Sequence, residues 1–177
     1  MNTLTRITSL AATVAALALT AAPAQAATPT TPAKAKVKIM KAVTISQVED
    51  LDFGTVVLSG TAGFTGAVVS IDNTGARTCD ANLTCSGTST AAEYKVTGSN
   101  NATVNLSIPA SVVIDNLVGP GGDTLTVTLD NSQTTIVLTS SGMPGDNFSF
   151  GGSISLDEAT PDGDYSGDIV VTANYPA

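Results

Sequence analysis

Apolar and polar residues alternate along most of the chain after residue 42, with the period of two that half-buried β-strands show. In the segment 102–108, alanine, valine, leucine and isoleucine at the even positions are separated by threonine, asparagine and serine. The segments 124–129 and 168–175 repeat the pattern. In the last of them, the residues on one face are Ile169, Val171, Ala173 and Tyr175. Each pattern predicts a strand with one face towards a core and one towards water.

Further strands are predicted wherever short apolar runs lie between turn residues. The predicted segments are 43–48, 53–58, 64–71, 93–96, 135–139 and 148–156. Breaks such as 119–123 and 143–146 are rich in Gly, Pro, Asn and Asp, which favour turns. No stretch of ten or more residues has a helical period. The number and spacing of these strands predict an all-β protein whose residues 42–177 form one antiparallel β-sandwich.

The first 26 residues have a different pattern. Arg6 precedes an apolar run at positions 10–19, and Ala24-Gln25-Ala26 has the small-x-small form that a signal peptidase accepts. This pattern predicts a secretory signal peptide over residues 1–26. No later stretch approaches 18 consecutive apolar residues, so we expect an exported protein without membrane insertion.

The charged residues divide the remaining chain into two parts. The chain has 177 residues, with 15 Asp and Glu against 7 Lys and Arg and a formal net charge of -8. Four of the basic residues, Lys34, Lys36, Lys38 and Lys41, lie in the segment 27–41, which we call the arm. After residue 41 only Arg77 and Lys95 oppose the carboxylates. An acidic body of this kind argues against nucleic acid as a partner, because phosphate neutralisation needs clustered Lys and Arg.

The arm is a candidate assembly element. Residues 27–36 are Pro-rich and predict a flexible leader. An apolar face follows, carried by the donor-strand candidates Val37, Ile39, Val43 and Ile45. Such a strand can add to the open sheet edge of a neighbouring copy, where the lysines would meet an acidic body. It can equally be the first strand of its own domain, and the sequence leaves both interpretations open.

Catalytic chemistry has little support in the composition. The chain has no His, which excludes Ser-His and Cys-His pairs and imidazole zinc sites. Asp157 and Glu158 are adjacent, and adjacent residues on a strand point to opposite faces, so they do not form a glycosidase pair. We therefore expect no catalytic residues and no cofactor. A hydrolase that uses carboxylates such as Asp157 or Asp164 is the third and least supported class.

Two short motifs favour structural interpretations. The segment 162–168 resembles the start of a calcium loop, but Ala173 stands where the twelfth position needs a bidentate Glu, which favours a tight turn before a strand. Cys79 and Cys85 have five residues between them, and in an exported protein they predict a disulfide. A loop this short contributes about 2 kcal/mol, so it fixes a loop more than it stabilises the fold.

Several Gly-rich strings resemble an exported bacterial family known as domain of unknown function 4402. They are Leu51–Val56, Tyr94–Gly98, Leu106–Pro109, Gly151–Leu156 and Gly163–Tyr175. The resemblance covers roughly residues 43–175. It implies a protein with no assigned activity.

The closing segment is also similar to the C-terminal strand of chaperone-usher pilins and of the spore coat protein U group. Gly163 and Tyr175 match the glycine and the near-terminal tyrosine of that pattern, and Tyr165, Ile169 and Val171 lie between them. This similarity implies an immunoglobulin-like subunit that lacks one strand, passes through the periplasm with a chaperone and an outer-membrane usher, and is completed by the leader of the next subunit. Two features depart from the pattern, since the cysteine loop is small and Pro176 follows the tyrosine.

The function that these expectations favour is a non-enzymatic structural subunit of a bacterial surface fibre or coat. It would assemble with like subunits by strand addition through the arm. The rival is a monomeric exported binding or adhesive β-sandwich module.

Overall fold

The computed structural model describes residues 28–60, 62–118 and 122–177. The predicted signal peptide, residues 1–26, lies outside the described residues. The chain divides into two units, residues 1–37 and residues 38–177. In the first unit, residues 28–37 have no regular secondary structure and are exposed. Across the described ranges no helix is long and apolar enough to cross a membrane.

The second unit consists of strands joined by turns, and its described residues contain no helix. In chain order the strands are β1 (Thr44–Glu49), β2 (Thr55–Leu58), β3 (Ala67–Ile71), β4 (Arg77–Cys79), β5 (Leu83–Ser86), β6 (Ala92–Thr97), β7 (Thr103–Ser107), β8 (Ser111–Asn116), β9 (Thr124–Leu129), β10 (Thr135–Val137), β11 (Asp146–Phe150), β12 (Gly152–Leu156), β13 (Tyr165–Ser166) and β14 (Thr172–Asn174). The predicted all-β class is confirmed.

All strand pairs are antiparallel, as predicted, and they form a β-sandwich. A six-stranded sheet has the order β13-β8-β9-β12-β3-β4, and two three-stranded sheets have the orders β1-β6-β11 and β10-β7-β14. The strands β2 and β5 form a separate pair. Only short breaks separate β7 from β8, β9 from β10, β11 from β12 and β13 from β14. Four long chain segments therefore contribute first to one sheet and then to another, as strands at the corners of a sandwich do.

The core is apolar and lies between these sheets. Its most deeply buried large side chains are Phe150, Leu138, Val69, Val96 and Val104. Tyr94 on β6 stacks against Phe148 and Phe150 on the neighbouring β11, with ring centroids 5.8 and 5.9 Å apart. Because strand residues two apart share a face, the alternating pattern delivers these side chains to one interior.

The observed strands differ from the predicted ones in specific places. The segment predicted as one strand over 148–156 is divided at Gly151 into β11 and β12. The strand β8 was not predicted, because Val112, Val113 and Ile114 are consecutive apolar residues without alternation. The short strands β4, β5 and β13 were also not predicted.

Candidate functional site

The first and last strands lie side by side without pairing. The strand β1 pairs with β6 along one edge, and β14 pairs with β7 along one edge. Among the described strands, neither has a partner on its other edge, although the two strands are neighbours. We call residues 41–52 the β1 edge, residues 164–175 the C-terminal segment, and the space between them the strand gap. Unpaired edges of this kind are templates for an additional strand.

One end of the strand gap is tied by Tyr175. The Tyr175 hydroxyl donates to the Lys41 carbonyl oxygen at 2.8 Å and accepts from the Ser99 amide at 2.7 Å. The Lys41 amide in turn donates to Ser99 Oγ at 2.7 Å. The chain therefore enters the β1 edge at a fixed point beside the end of the C-terminal segment.

A second tyrosine ties the middle of the strand gap. Tyr94 lies opposite Gln47 in the register of β6 with β1, and its hydroxyl donates to the Ile169 carbonyl oxygen at 3.0 Å. Gln47 is six residues after Lys41, and Ile169 is six residues before Tyr175. The β1 edge and the C-terminal segment therefore run antiparallel.

The C-terminal segment has the two faces that the sequence predicts. Ile169, Ala173 and Tyr175 are half-buried and Val171 is buried, whereas Val170 is 71% exposed. Tyr165 is half-buried in β13, and Gly163 precedes that strand. Residues 167–171 belong to no strand, although their side chains alternate as in a strand. Ile169 and Val171 therefore pack towards the core although residues 167–171 belong to no strand.

The four donor-strand candidates fall into two groups. Ile45 lies in β1 opposite Val96, and Val43 immediately precedes that strand; both pack against the core of their own domain. Val37 and Ile39 are 84% and 86% exposed. The β1 half of the predicted apolar face is therefore part of the domain itself, and the donor role of Val37 and Ile39 stays a prediction.

Replacing Tyr175 with phenylalanine is expected to lower the free energy of unfolding by about 1–3 kcal/mol. The substitution keeps the ring but removes the group that accepts from Ser99 and donates to Lys41. Urea unfolding of both proteins measures the difference. Tyr165→Phe is the matched control, because the Tyr165 hydroxyl donates to Pro161 in an exposed setting. Equal effects of the two substitutions would contradict a special role for Tyr175.

Stability at alkaline pH should depend on Tyr94. Burial of the ring, and secondarily the Asp50 carboxylate, raises the pKa of Tyr94 above its ordinary value. Folding therefore favours the protonated phenol, and this contribution is complete below about pH 10 and is lost as the pH rises through the raised pKa. We expect Tyr94→Phe to destabilise the protein at neutral pH and to reduce its loss of stability above pH ~10. Parallel pH profiles of the two proteins would contradict this assignment.

The two cysteines lie at disulfide distance, outside the strand gap. Cys79 on β4 and Cys85 on β5 are bonded, with their Cα atoms 6.2 Å apart. The bond joins the outer strand of the six-stranded sheet to the β2–β5 pair. It thus connects two parts of the fold that share no ladder.

The carboxylates considered for catalysis have structural contacts. Asp157 accepts from the Gly66 amide at 2.6 Å, and Glu158 accepts from the Gly63 amide at 2.5 Å. Asp162, Asp164 and Asp168 are exposed. Within the described part of the chain, no group of three or more His, Cys, Asp or Glu side chains could hold a metal ion.

The sequence pattern did not indicate that Tyr94 and Ser99 contribute hydrogen bonds at the strand gap. Tyr94 is part of an alternating run and Ser99 part of a turn, and neither pattern indicates a partner far along the chain. Tyr94 and Ile169 are 75 residues apart, and Lys41 and Tyr175 are 134 residues apart. No pattern within one segment indicates these contacts, because each joins residues that only the folded arrangement of the strands brings together.

A comparison with known families gives one match. The family model described as a domain of unknown function (DUF4402) matches residues 43–175. No curated protein and no solved structure matches the chain.

Proposed function

The chain belongs to the family described as a domain of unknown function (DUF4402), and we propose that it is an exported, non-enzymatic structural subunit of a surface fibre or coat. In this proposal each subunit adds its arm to the strand gap of a neighbouring copy. The observation that carries the proposal is the pair of unpaired, antiparallel edges formed by β1 and the C-terminal segment.

The strand order supports a sandwich that lacks one strand. The C-terminal segment pairs with the β8 and β7 side through β13 and β14, and its other edge faces β1. Some Cα atoms of β1 and β14 lie within 8 Å of each other, whereas two strands that flank a third are about 10 Å apart. Strand addition would therefore have to move β1 and β14 apart, and the added strand would then join the β1-β6-β11 sheet to the β10-β7-β14 sheet. It would also supply partners for backbone groups of residues 167–171. An immunoglobulin-like sandwich completed in this way leaves no open edge at the strand gap.

The arm has the pattern that a donated strand needs. From Ala33 to Ile39, apolar or small residues alternate strictly with Lys34, Lys36 and Lys38. An extended arm would turn Val37 and Ile39 towards a core and the lysines towards water. Both apolar side chains are more than four-fifths exposed, so they have little packing of their own to lose. Strand addition would bury them and form main-chain hydrogen bonds at the same time.

The proposal implies partners before assembly. An unpaired edge beside a half-buried apolar face invites pairing with the wrong chain during export. A periplasmic chaperone that covers this edge, and an outer-membrane usher at which the edge is released for assembly, would prevent such mispairing. The assembled subunits would then lie on the cell surface or outside the cell.

Deletion of residues 27–40 tests the proposal. This variant retains Lys41, so the ties to Ser99 and Tyr175 stay in place. We expect circular dichroism to show that this variant is folded and electron micrographs to show that it forms no filaments. The chain from residue 27 onward should form filaments under the same conditions. Normal filaments from the deleted protein would contradict the proposal.

A second candidate function has its own observation. Hydroxyl side chains form a row across five strands of the six-stranded sheet, in register from β4 to β8: Thr78, Ser70, Ser153, Thr128 and Ser111. This polar row is exposed at Thr78, Thr128 and Ser111 and half-buried at Ser70 and Ser153, and it favours a monomeric binding or adhesive module. Size-exclusion chromatography at high concentration separates the two functions, because a self-complete module stays monomeric and a strand-donating subunit does not.

A further inference from the structure

The arm joins the strand-forming part of the chain at a place without acidic side chains. Two loops contact Lys41 there, since its amide donates to Ser99 Oγ at 2.7 Å and its Nζ donates to the Ser141 carbonyl oxygen at 3.4 Å. A main-chain hydrogen bond also joins the two loops to each other. We call Lys41 with the loops 97–102 and 139–145 the root surface. These residues include no Asp or Glu.

The carboxylates of the chain belong to other segments. All 15 Asp and Glu follow residue 41, where only Arg77 and Lys95 oppose them. Asp146, which directly follows the second loop, accepts from the Thr139 amide and hydroxyl. The arm has no acidic residue, and its basic residues are Lys34, Lys36, Lys38 and Lys41. The arm and the root surface are therefore basic, whereas the remainder of the chain is strongly acidic.

Exposed apolar side chains accompany this positive charge. Ile39 is 86% exposed, Val37 in the preceding part of the arm is 84% exposed, and Met143 in the second loop is 80% exposed. Among the described residues, these are the three most exposed large hydrophobic side chains. Lysines combined with exposed apolar groups suit the interface of a membrane, where the apolar groups enter the acyl boundary and the charges stay at the headgroups.

We propose that the arm and the root surface bind the surface of a membrane with anionic headgroups. The lysines would lie at the lipid phosphates, where each adds to the attraction. The apolar side chains would enter the boundary with the acyl chains, which a soluble polyanion does not offer. The protein would lie on the bilayer without crossing it. This proposal does not depend on strand addition, because it concerns a single copy of the chain.

The acidic remainder of the chain does not prevent this binding. Anionic headgroups would repel its carboxylates, but the repulsion falls off over a Debye length of about 8 Å at physiological salt. Glu49, the first carboxylate after Lys41, ends β1 and lies about 17 Å from Thr44 at the start of that strand. The root surface therefore meets the headgroups without a carboxylate of its own, and salt screens the more distant ones.

Flotation with lipid vesicles tests the proposal. The chain from residue 27 onward is mixed with vesicles of equal parts phosphatidylglycerol and phosphatidylcholine, or of phosphatidylcholine alone, and bound protein rises with the lipid in a density gradient. We expect it to rise with the anionic vesicles, to do so less as salt is added, and not to rise with the neutral vesicles. Filaments without lipid do not rise, so assembly does not produce the same signal.

Substitution of the lysines measures their share of the binding. Lys34→Gln with Lys36→Gln and Lys38→Gln should lower the vesicle partition coefficient by about a hundredfold, since each lysine contributes roughly fivefold. The single substitution Lys38→Gln should lower it about fivefold. Its matched control is Lys95→Gln, which removes one positive charge at a half-buried position of β6 and should leave binding unchanged. Equal effects of the two single substitutions would overturn the proposal.

A soluble polyanion distinguishes a lipid surface from negative charge alone. Ile39→Ser with Met143→Ser should weaken binding to the anionic vesicles several-fold and leave binding to dextran sulfate unchanged. Both side chains are exposed, so circular dichroism should show that this variant is folded. Binding to dextran sulfate without binding to the anionic vesicles would overturn the proposal. Equal flotation with both kinds of vesicle, or none with either, would overturn it as well.

Discussion

Gly151→Ala is expected to prevent the chain from folding. A Cβ atom at position 151 would overlap the Ile71 carbonyl oxygen and would lie 2.7 Å from the Ile71 carbonyl carbon. Both are backbone atoms of the six-stranded sheet, so no side chain can move to make space. The neighbouring Gly152 pairs with Ile71 on one side and Leu129 on the other, so a shift would disturb both ladders. We expect a loss above about 4 kcal/mol, close to the whole stability of a small domain.

Thermal unfolding followed by circular dichroism measures this effect. Gly60→Ala is the matched control, because no atom lies within 4 Å of a Cβ built at that position. The control should unfold near the temperature of the unsubstituted protein, and Gly151→Ala should show no cooperative transition. A Gly151→Ala protein with an unchanged transition would contradict the close approach of Gly151 to the Ile71 backbone of β3.

The joint substitution Val37→Ser and Ile39→Ser is expected to abolish assembly while the domain remains folded. These side chains are 84% and 86% exposed, so their loss should change the free energy of unfolding by less than about 0.5 kcal/mol. In a donated strand they would be the two largest apolar groups facing the acceptor core, where each contributes about 1.5–3 kcal/mol. Filament yield measures the effect on assembly, and thermal unfolding measures the effect on the stability of the domain.

A control pair distinguishes this effect from a general loss of surface hydrophobicity. Val57 and Val137 are 53% and 58% exposed and lie on β2 and β10, away from the strand gap. Val57→Ser with Val137→Ser should leave filament yield unchanged. Normal filaments from the protein with Val37→Ser and Ile39→Ser would contradict the arm as the donated strand. A loss of filaments from the protein with Val57→Ser and Val137→Ser would contradict it as well.

The sequence pattern predicted the class of fold because alternation is a local property. The two faces of the segment 168–175 followed from the same property, and Val171 is buried while Val170 is exposed. The division at Gly151 could not be predicted, since it arises from the approach of Ile71, which is 80 positions away in sequence. Likewise the alternation of the last segment gives no sign that residues 167–171 lack a strand partner.

The strand gap depends on pairing that no single segment encodes. Val43 and Ile45 have the same pattern as Val37 and Ile39, yet the first two pack against their own domain and the last two are exposed. What separates them is the ladder between β1 and β6, which starts at Thr44, and the tie of Lys41 to Tyr175. The boundary between the exposed arm and the residues that pack against their own domain therefore lies at residues 41–44.

Binding of the arm as a separate peptide measures strand addition without the rest of a donor subunit. The acceptor is the chain from residue 27 onward with Val37→Ser and Ile39→Ser, whose own arm lacks the apolar face. The probe is a peptide of residues 28–40 with the natural sequence, and the control peptide carries the same two serine substitutions. We expect the natural peptide to bind and to raise the unfolding temperature, and the control peptide to do neither. A folded acceptor whose unfolding temperature neither peptide changes would contradict strand addition through the arm.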